Sequence, residues 1–196
     1  MKKLVWIFGR PGAGKKTLIN HLTSDDNDVK KVFGLEDKKL SVVDVPYKSE
    51  GTYTDIHGIR SRIDILCEKI TEFLRSDSDV LLIEGHHLDY ENNLNNILAF
   101  ISREFPNEEK EILFLNPNSL DVLYDRFKET EWFKKDSNNL ERFPKTWLEI
   151  AVNYARSALF SFDGEDYSVY EVDTTDGYVI KKDKPLSKIK ENKDGK

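Results

Sequence analysis

The sequence predicts an α/β fold built on a five-stranded parallel sheet. Short apolar runs typical of buried strands alternate with segments whose apolar residues recur every three or four positions, as they do in helices. This alternation is typical of βαβ units. In addition, the first apolar run ends in a glycine-rich turn that leads directly into a helical pattern. With 196 residues, of which 38% are hydrophobic and 34% charged, the chain is long enough for one α/β domain with a full core.

The predicted elements follow one another along the whole chain. The strands are expected at Lys3–Phe8, Leu40–Val45, Val80–Glu84, Glu111–Leu115 and Ser168–Asp173. One helix follows the glycine-rich turn, and another of about 20 residues is expected from Thr54. Further helices are expected around Leu94–Ile101, Leu120–Phe127 and Trp147–Ala158. We expect the first strand to lie at the centre, with the second and third on one side and the fourth and fifth on the other.

The glycine-rich turn, residues 9–17, reads Gly-Arg-Pro-Gly-Ala-Gly-Lys-Lys-Thr. Glycines at 9, 12 and 14 permit the close approach and unusual dihedral angles by which backbone N–H groups surround a polyphosphate. The following helix directs its N-terminus at the anion. Lys15 can reach the β- and γ-phosphates, and Thr17 offers a hydroxyl near Mg²⁺. The sequence therefore predicts a nucleotide site formed by Gly9, Gly12, Ala13, Gly14, Lys15, Lys16 and Thr17.

This loop resembles the phosphate-binding loop (P-loop) of adenylate kinase and related nucleotide kinases, which also carry Pro in the third position and Thr two residues after the lysine. The resemblance implies a P-loop kinase-type three-layer fold with a lid, and ATP and Mg²⁺ as cofactors. The general P-loop pattern has Ser or Thr directly after the lysine, where this chain has Lys16. Thr17 is accordingly expected to contact Mg²⁺ either directly or through water.

Two predicted strands end on an acidic residue. Because ligands collect at the carboxyl ends of strands in α/β sheets, Glu84 is expected beside the P-loop, where it would hold Mg²⁺ or its water shell. The Glu-Gly ending resembles uridine kinase and phosphoribulokinase relatives; the alternative is an acid that only faces water. Asp44 is the candidate base, as small-molecule P-loop kinases place an Asp at this strand end. The alternatives are a turn Asp before Pro46, or exchanged roles with Glu84 as the base.

Two other regions supply candidate site residues. After the second strand, Tyr53 and Arg60 are expected to hold the acceptor, because loops at strand ends commonly bind substrate. After the fourth strand, the layout resembles the region that introduces the lid in nucleoside and nucleotide kinases. That resemblance implies a catalytic role for Arg126 and a lid at about 129–143, although a solvated helix face explains Arg126 equally well. It also implies that Thr174 lies beside the adenine.

These residues together predict an ATP- and Mg²⁺-dependent kinase. The acceptor is expected to be a small molecule or a nucleic acid: a nucleoside, a nucleotide, or a hydroxymethylated base in DNA, as in phage DNA-modification enzymes of the P-loop kinase group. The alternative is an NTP-hydrolysing P-loop switch or ATPase. An Asn-Lys-x-Asp guanine motif does not occur in the sequence, which disfavours that alternative.

Composition limits the partners and the compartment. The net charge of −6 disfavours a broad basic surface for duplex nucleic acid. No apolar run approaches the roughly 20 residues of a membrane span, so no membrane partner is expected. The single Cys67 is consistent with a cytoplasmic protein. We expect one kinase domain over residues 1–180 and a disordered tail at 181–196, where seven lysines occur with three acids. A homodimer is compatible with the sequence.

Overall fold

The computed structural model describes residues 2–24, 26–44, 62–84, 93–160, 162 and 166–181. Within them the strands are β1 (Lys3–Phe8), β2 (Leu40–Asp44), β3 (Val80–Glu84), β4 (Glu109–Leu115), β5 (Ser168–Asp173) and β6 (Val179–Lys181). The helices are α1 (Lys15–Thr23), α2 (Asn27–Val32), α3 (Arg62–Arg75), α4 (Asn93–Glu104), α5 (Leu120–Lys128), α6 (Glu131–Lys134), α7 (Asn139–Arg142) and α8 (Lys145–Phe160).

The strands form one sheet in the order β2-β3-β1-β4-β5-β6. The first five are parallel, with β1 between β3 and β4, which confirms the predicted α/β sheet and the predicted arrangement of these strands. The predicted count of five strands is one short, because β6 pairs antiparallel with β5. Three residues beside a lysine-rich segment carry too little periodicity to be recognised as a strand. Lys181, which we expected in the tail, is the last residue of β6.

The centre of the sheet is the core of the protein. In β1, all residues from Leu4 to Phe8 are at most 1% exposed, as expected for a parallel strand covered by helices on both faces. The rings of Trp6 and Phe8 stack with their centroids 6.0 Å apart. A fully buried side chain of this size contributes roughly 1.5–3 kcal/mol through the hydrophobic effect. The strand that leads into the glycine-rich turn is therefore firmly fixed.

The helices pack against the strands of the sheet and against one another. In α3, Leu66, Ile70 and Phe73 are buried, so the predicted apolar stripe of this helix belongs to the core. The helix is described from Arg62 onward, and the predicted start near Thr54 lies outside the described residues. None of the helices in the described part of the chain is long and apolar enough to cross a membrane.

Candidate nucleotide-binding site

The glycine-rich turn connects β1 to α1 in a conformation that glycine favours. Gly12 has φ +87°, and a Cβ there would lie 2.7 Å from the backbone N of Phe127 in α5. Gly14 has φ +93° and precedes the first residue of α1, but beyond its chain neighbours a Cβ there would meet no atom of the described residues within 4 Å. Gly12 is therefore required by close packing, whereas Gly14 faces open space. Space beside a helix N-terminus is what an anion needs.

Lys15 bends back over the turn. Its Nζ donates to the carbonyl oxygens of Gly9 at 2.5 Å and Arg10 at 3.3 Å, and the residue is only 6% exposed. Backbone carbonyls thus stabilise the buried ammonium group. The next two residues, Lys16 and Thr17, are exposed on the first turn of α1. All three line the same cleft.

The cleft has a volume of about 960 Å³, within the range of small-molecule sites. One wall is the P-loop with the start of α1, and Glu84 lies at the end of β3. A second group of lining residues, which we call the far wall, consists of Arg126 and residues Thr174–Tyr178, and it meets the P-loop where Thr174 bonds to Ala13. The fold thus brings most of the predicted nucleotide-site residues together: Gly12, Gly14, Lys15, Lys16, Thr17, Glu84, Arg126 and Thr174.

The oxygen donors of the cleft fit Mg²⁺. The hydroxyl residue Thr17 and the carboxylate residue Glu84 both line it, and Mg²⁺ usually takes one or two protein oxygens together with phosphates and water. Asp44 pairs with Glu84 in the parallel register of β2 and β3, so both strands end at the same edge of the sheet. The side chain of Asp44, and the candidate acceptor residues Tyr53 and Arg60, lie outside the described residues.

Arg126 is bonded to the backbone of the far wall. From the last turn of α5, its Nη1 donates to the Thr174 carbonyl at 2.7 Å and its Nη2 donates to the Thr175 carbonyl at 2.8 Å. The planar guanidinium suits two donations in parallel. Its side chain therefore fixes the loop after β5 at the edge of the cleft, and its catalytic role stays a prediction.

Thr174 is 6% exposed and contacts the P-loop directly. Its Oγ1 donates to the Ala13 carbonyl at 2.9 Å. A second long-range bond is made by Arg10, whose Nη2 donates to the Ala151 carbonyl in α8 at 2.7 Å. The P-loop is thus attached by side chains to α8 and to the loop after β5. Sequence patterns gave no sign of either attachment, because the partners are more than a hundred residues apart.

Two aromatic residues of the cleft were not among the predicted site residues. His21 lies one helical turn after Thr17 on α1, a spacing that places both on one face and that offered a usable signal. Tyr178 packs edge-on against His21, with ring centroids 5.9 Å apart, and against Phe33 at 6.2 Å. Partial burial, together with the charge of Asp26, raises the pKa of Tyr178, so its hydroxyl stays protonated at neutral pH.

The predicted lid segment, residues 129–143, contains the short helices α6 and α7. Thr130 caps α6 by accepting from the Phe133 N–H, and Phe133 is buried against Phe127 at 4.9 Å between centroids. Trp132, 48% exposed, lies 5.1 Å from Phe143, which in turn is 4.8 Å from Trp147 on α8. Aromatic contacts therefore hold this segment against α5 and α8, and its motion as a lid stays a prediction.

Comparisons with known proteins show which family the chain resembles. A family model described as "50S ribosome-binding GTPase" matches residues 4–117, from β1 past the end of β4. No curated protein matches the chain. A solved structure entitled "Crystal structure of APE1195" is similar at 17% sequence identity and a TM-score of 0.41, covering 82% of this chain and 96% of that one.

The family model matches more than half of the chain, and it includes the P-loop and the strand that carries Glu84. The match therefore confirms the predicted P-loop and supports a P-loop NTPase that binds a nucleotide and Mg²⁺. The matched family is not a family of kinases. The chain belongs to the family of 50S ribosome-binding GTPases.

Proposed function

We propose that this protein is a Mg²⁺-dependent nucleoside triphosphatase that transfers the γ-phosphoryl group to water. The observation that carries the proposal is the cleft itself, which joins the P-loop lysine, the Thr17 hydroxyl residue and the Glu84 carboxylate residue. Family membership supports the same reaction, since the matched residues include all three.

The roles follow from the chemistry of each group. Lys15 would exchange its two carbonyl partners for phosphate oxygens and neutralise the charge that develops on them in the transition state. The backbone N–H groups of the P-loop and the N-terminus of α1 would bind the remaining phosphate oxygens. Thr17 and Glu84 would hold Mg²⁺, which would offset the negative charge of the phosphate oxygens.

The far wall is proposed to hold the nucleoside. Arg126 and Tyr178 offer a planar cation and an aromatic ring on the same side of the cleft, and bases stack on such groups. The family description names GTP as the nucleotide, whereas the resemblance of the loop to nucleotide kinases implies ATP. Both nucleotides are therefore candidates, and the test compares them directly.

A second candidate function is a kinase that phosphorylates a nucleoside, a nucleotide or a hydroxymethylated base in DNA. It is favoured by the Gly-Lys-x-Thr form of the P-loop and by Arg126, which lines the cleft next to the 129–143 segment. In this function Asp44 would accept the proton of the acceptor hydroxyl, Tyr53 and Arg60 would hold the acceptor, and Arg126 would stabilise the transferring phosphoryl group.

The deciding experiment follows the γ-phosphate label of ATP and of GTP, with Mg²⁺, in the absence and presence of a panel of nucleosides, nucleotides and hydroxymethylated DNA. For a triphosphatase, we expect release of labelled phosphate without any acceptor. For a kinase, we expect transfer to one acceptor at a rate well above release, and Asp44→Asn should reduce that transfer by about 10² to 10⁴. A chain that neither binds nor cleaves either nucleotide contradicts both functions.

A further inference from the structure

One threonine connects the two walls of the cleft. The Oγ1 of Thr174, which follows β5, donates to the carbonyl oxygen of Ala13 in the P-loop at 2.9 Å. Ala13 is fully buried and Thr174 nearly so, hence water does not compete strongly for this bond. Hydrogen bonds in such surroundings hold their groups in one orientation.

Thr174 is itself fixed from its other side. Arg126 donates to the carbonyl oxygens of Thr174 and Thr175 through its two terminal nitrogens, at 2.7 and 2.8 Å. The Thr174 backbone therefore has little freedom to follow the P-loop if the loop moves. Instead, its hydroxyl is a fixed donor to which the Ala13 carbonyl must turn.

The orientation of that carbonyl determines the orientation of a neighbouring N–H. The C=O of Ala13 and the N–H of Gly14 belong to one planar trans peptide unit, so they point in opposite directions. Because the carbonyl points at Thr174, the Gly14 N–H points to the opposite side of the peptide. Gly14 lines the cleft, and apart from its chain neighbours no described residue has an atom within 4 Å of the position of its missing Cβ.

This peptide unit would otherwise have unusual freedom. Gly14 has φ +93°, and glycine rotates about φ with few steric limits, so the 13–14 peptide could turn over without a clash at Gly14. The bond from the Ala13 N–H to the Arg10 carbonyl at 3.0 Å fixes the preceding peptide, whereas among the described residues the 13–14 peptide is held by the Thr174 hydroxyl.

We propose that Thr174 is a positioning residue that holds the 13–14 peptide so that the Gly14 N–H faces the bound phosphates. Thr174 acts through Ala13 and touches no phosphate itself. This role rests on the proposed function in one respect, which is that the cleft binds a polyphosphate. The resemblance to nucleotide kinases implied that Thr174 lies beside the adenine. The proposal instead makes Thr174 a residue that sets the affinity for phosphate.

The test measures binding of inorganic tripolyphosphate with Mg²⁺, a probe that has no base, by calorimetry. Thr174→Val removes the donor at nearly constant shape, and Thr174→Ser retains it. Thr71→Val is the matched control, because Thr71 Oγ1 also donates to a backbone carbonyl, that of Cys67 at 2.7 Å, but on α3 away from the cleft. We expect Thr174→Val to weaken binding about tenfold, Thr174→Ser to restore it to within about twofold, and Thr71→Val to leave it unchanged.

A second measurement needs only the wild-type chain and covers the case in which Thr174→Val does not fold. In amide NMR spectra of chain labelled at glycine, the Gly14 resonance should shift on addition of tripolyphosphate. Unchanged affinity in Thr174→Val, a serine variant as weak as valine, or a Gly14 amide that does not shift would each overturn the role of Thr174. A wild-type chain that binds neither tripolyphosphate nor nucleotide would instead overturn the proposed function.

Discussion

The two walls of the cleft are built in different ways. The P-loop is nine consecutive residues, 9–17, that follow a buried strand and include the first three residues of α1, so its geometry is largely set by local sequence. The far wall combines Arg126 with a loop 48 residues later in the chain, and it exists only when α5 and β5 are in place. A local motif can be recognised in a sequence and tolerates few changes, whereas an assembled wall depends on the fold and can vary one contact at a time.

The largest expected effect is at the P-loop lysine. Lys15→Ala should reduce phosphate release by about 10³-fold, or ~4 kcal/mol of barrier, because charge developing on the phosphate oxygens loses its cation. Initial rates at saturating nucleotide measure this loss. Lys69→Ala is the control, since Lys69 is an exposed lysine on α3 paired with Glu72 at 2.7 Å. Retained turnover in Lys15→Ala would contradict the assignment of the P-loop.

The next largest effect is expected on stability. A pair of glycine substitutions distinguishes the cost of a steric clash from the cost of a positive φ. Gly12→Ala should lower the free energy of unfolding by about 3 kcal/mol, because it combines a positive φ with a clash against the α5 backbone. Gly14→Ala should lower it by only about 1–2 kcal/mol, because its Cβ meets open space. Urea unfolding measures both. Equal losses would show that the contact with Phe127 is not what requires glycine at position 12.

Substitution of Glu84 should have a smaller effect on phosphate release, and the size of this effect should depend on the Mg²⁺ concentration. Glu84→Gln should weaken the apparent affinity for Mg²⁺ by about 10- to 100-fold, since it replaces a charged oxygen donor by a neutral one. The loss of rate should diminish as Mg²⁺ is raised, because mass action refills a weakened ion site. A Mg²⁺ titration of phosphate release tests this expectation. A defect that stays constant across the titration would move Glu84 from the metal to the proton-transfer step.

For a substitution in the far wall, we expect the affinity for nucleotide to change by about tenfold. Arg126→Ala removes both donations to the loop after β5 and should weaken nucleotide binding by that factor, with a lesser effect on tripolyphosphate. Arg126→Lys should recover only part of the loss, because an ammonium group lacks the planar fork. Calorimetry with both probes makes the comparison. An equal loss for tripolyphosphate and nucleotide would show that Arg126 acts on phosphate binding, either directly or through Thr174, and not on the nucleoside.

The smallest effect concerns pH. Asp173 is partly buried, which disfavours its charge, but hydrogen bonds from Thr175 and Asn118 outweigh this and hold the pKa of Asp173 below its usual value. A lowered pKa in the folded state stabilises the fold above the unfolded pKa of about 3.9, and this contribution is lost as the pH falls through the folded value. Between about pH 5 and 3, the free energy of unfolding should therefore fall more steeply in wild type than in Asp173→Asn. Parallel curves would contradict this account of Asp173.

The same contrast explains what could be predicted from the sequence. The bounds of β1, β3 and β5 were predicted correctly because each strand is a compact run bounded by turn residues or by the P-loop. The strand order followed from the P-loop strand lying at the centre. Strand β6 could not be predicted, because its three residues are defined by pairing with β5 rather than by their own pattern.

Site residues divide in the same way. Lys15 and Thr17 were predicted because their roles depend on spacing within one motif. The attachment of Ala13 to Thr174 and of Arg10 to Ala151 arises only when distant segments meet, so no local pattern carries it. The helices α6 and α7 lie in a stretch predicted as a polar lid, since four residues are too few to show helical periodicity. Helix α6 is stabilised instead by its Thr130 cap and by the ring of Phe127 beside Phe133.

Two of the three tryptophans of the chain, Trp6 and Trp132, occupy environments that differ in their access to solvent. Trp6 is fully buried in the strand that leads to the P-loop, whereas Trp132 is nearly half exposed in the segment between α5 and α8. Collisional quenchers such as acrylamide therefore reach the indole of Trp132 but not that of Trp6. Fluorescence quenching with and without nucleotide consequently reports the solvent access of the 129–143 segment in the unmodified protein, with the emission of Trp6 as an internal reference for the folded core.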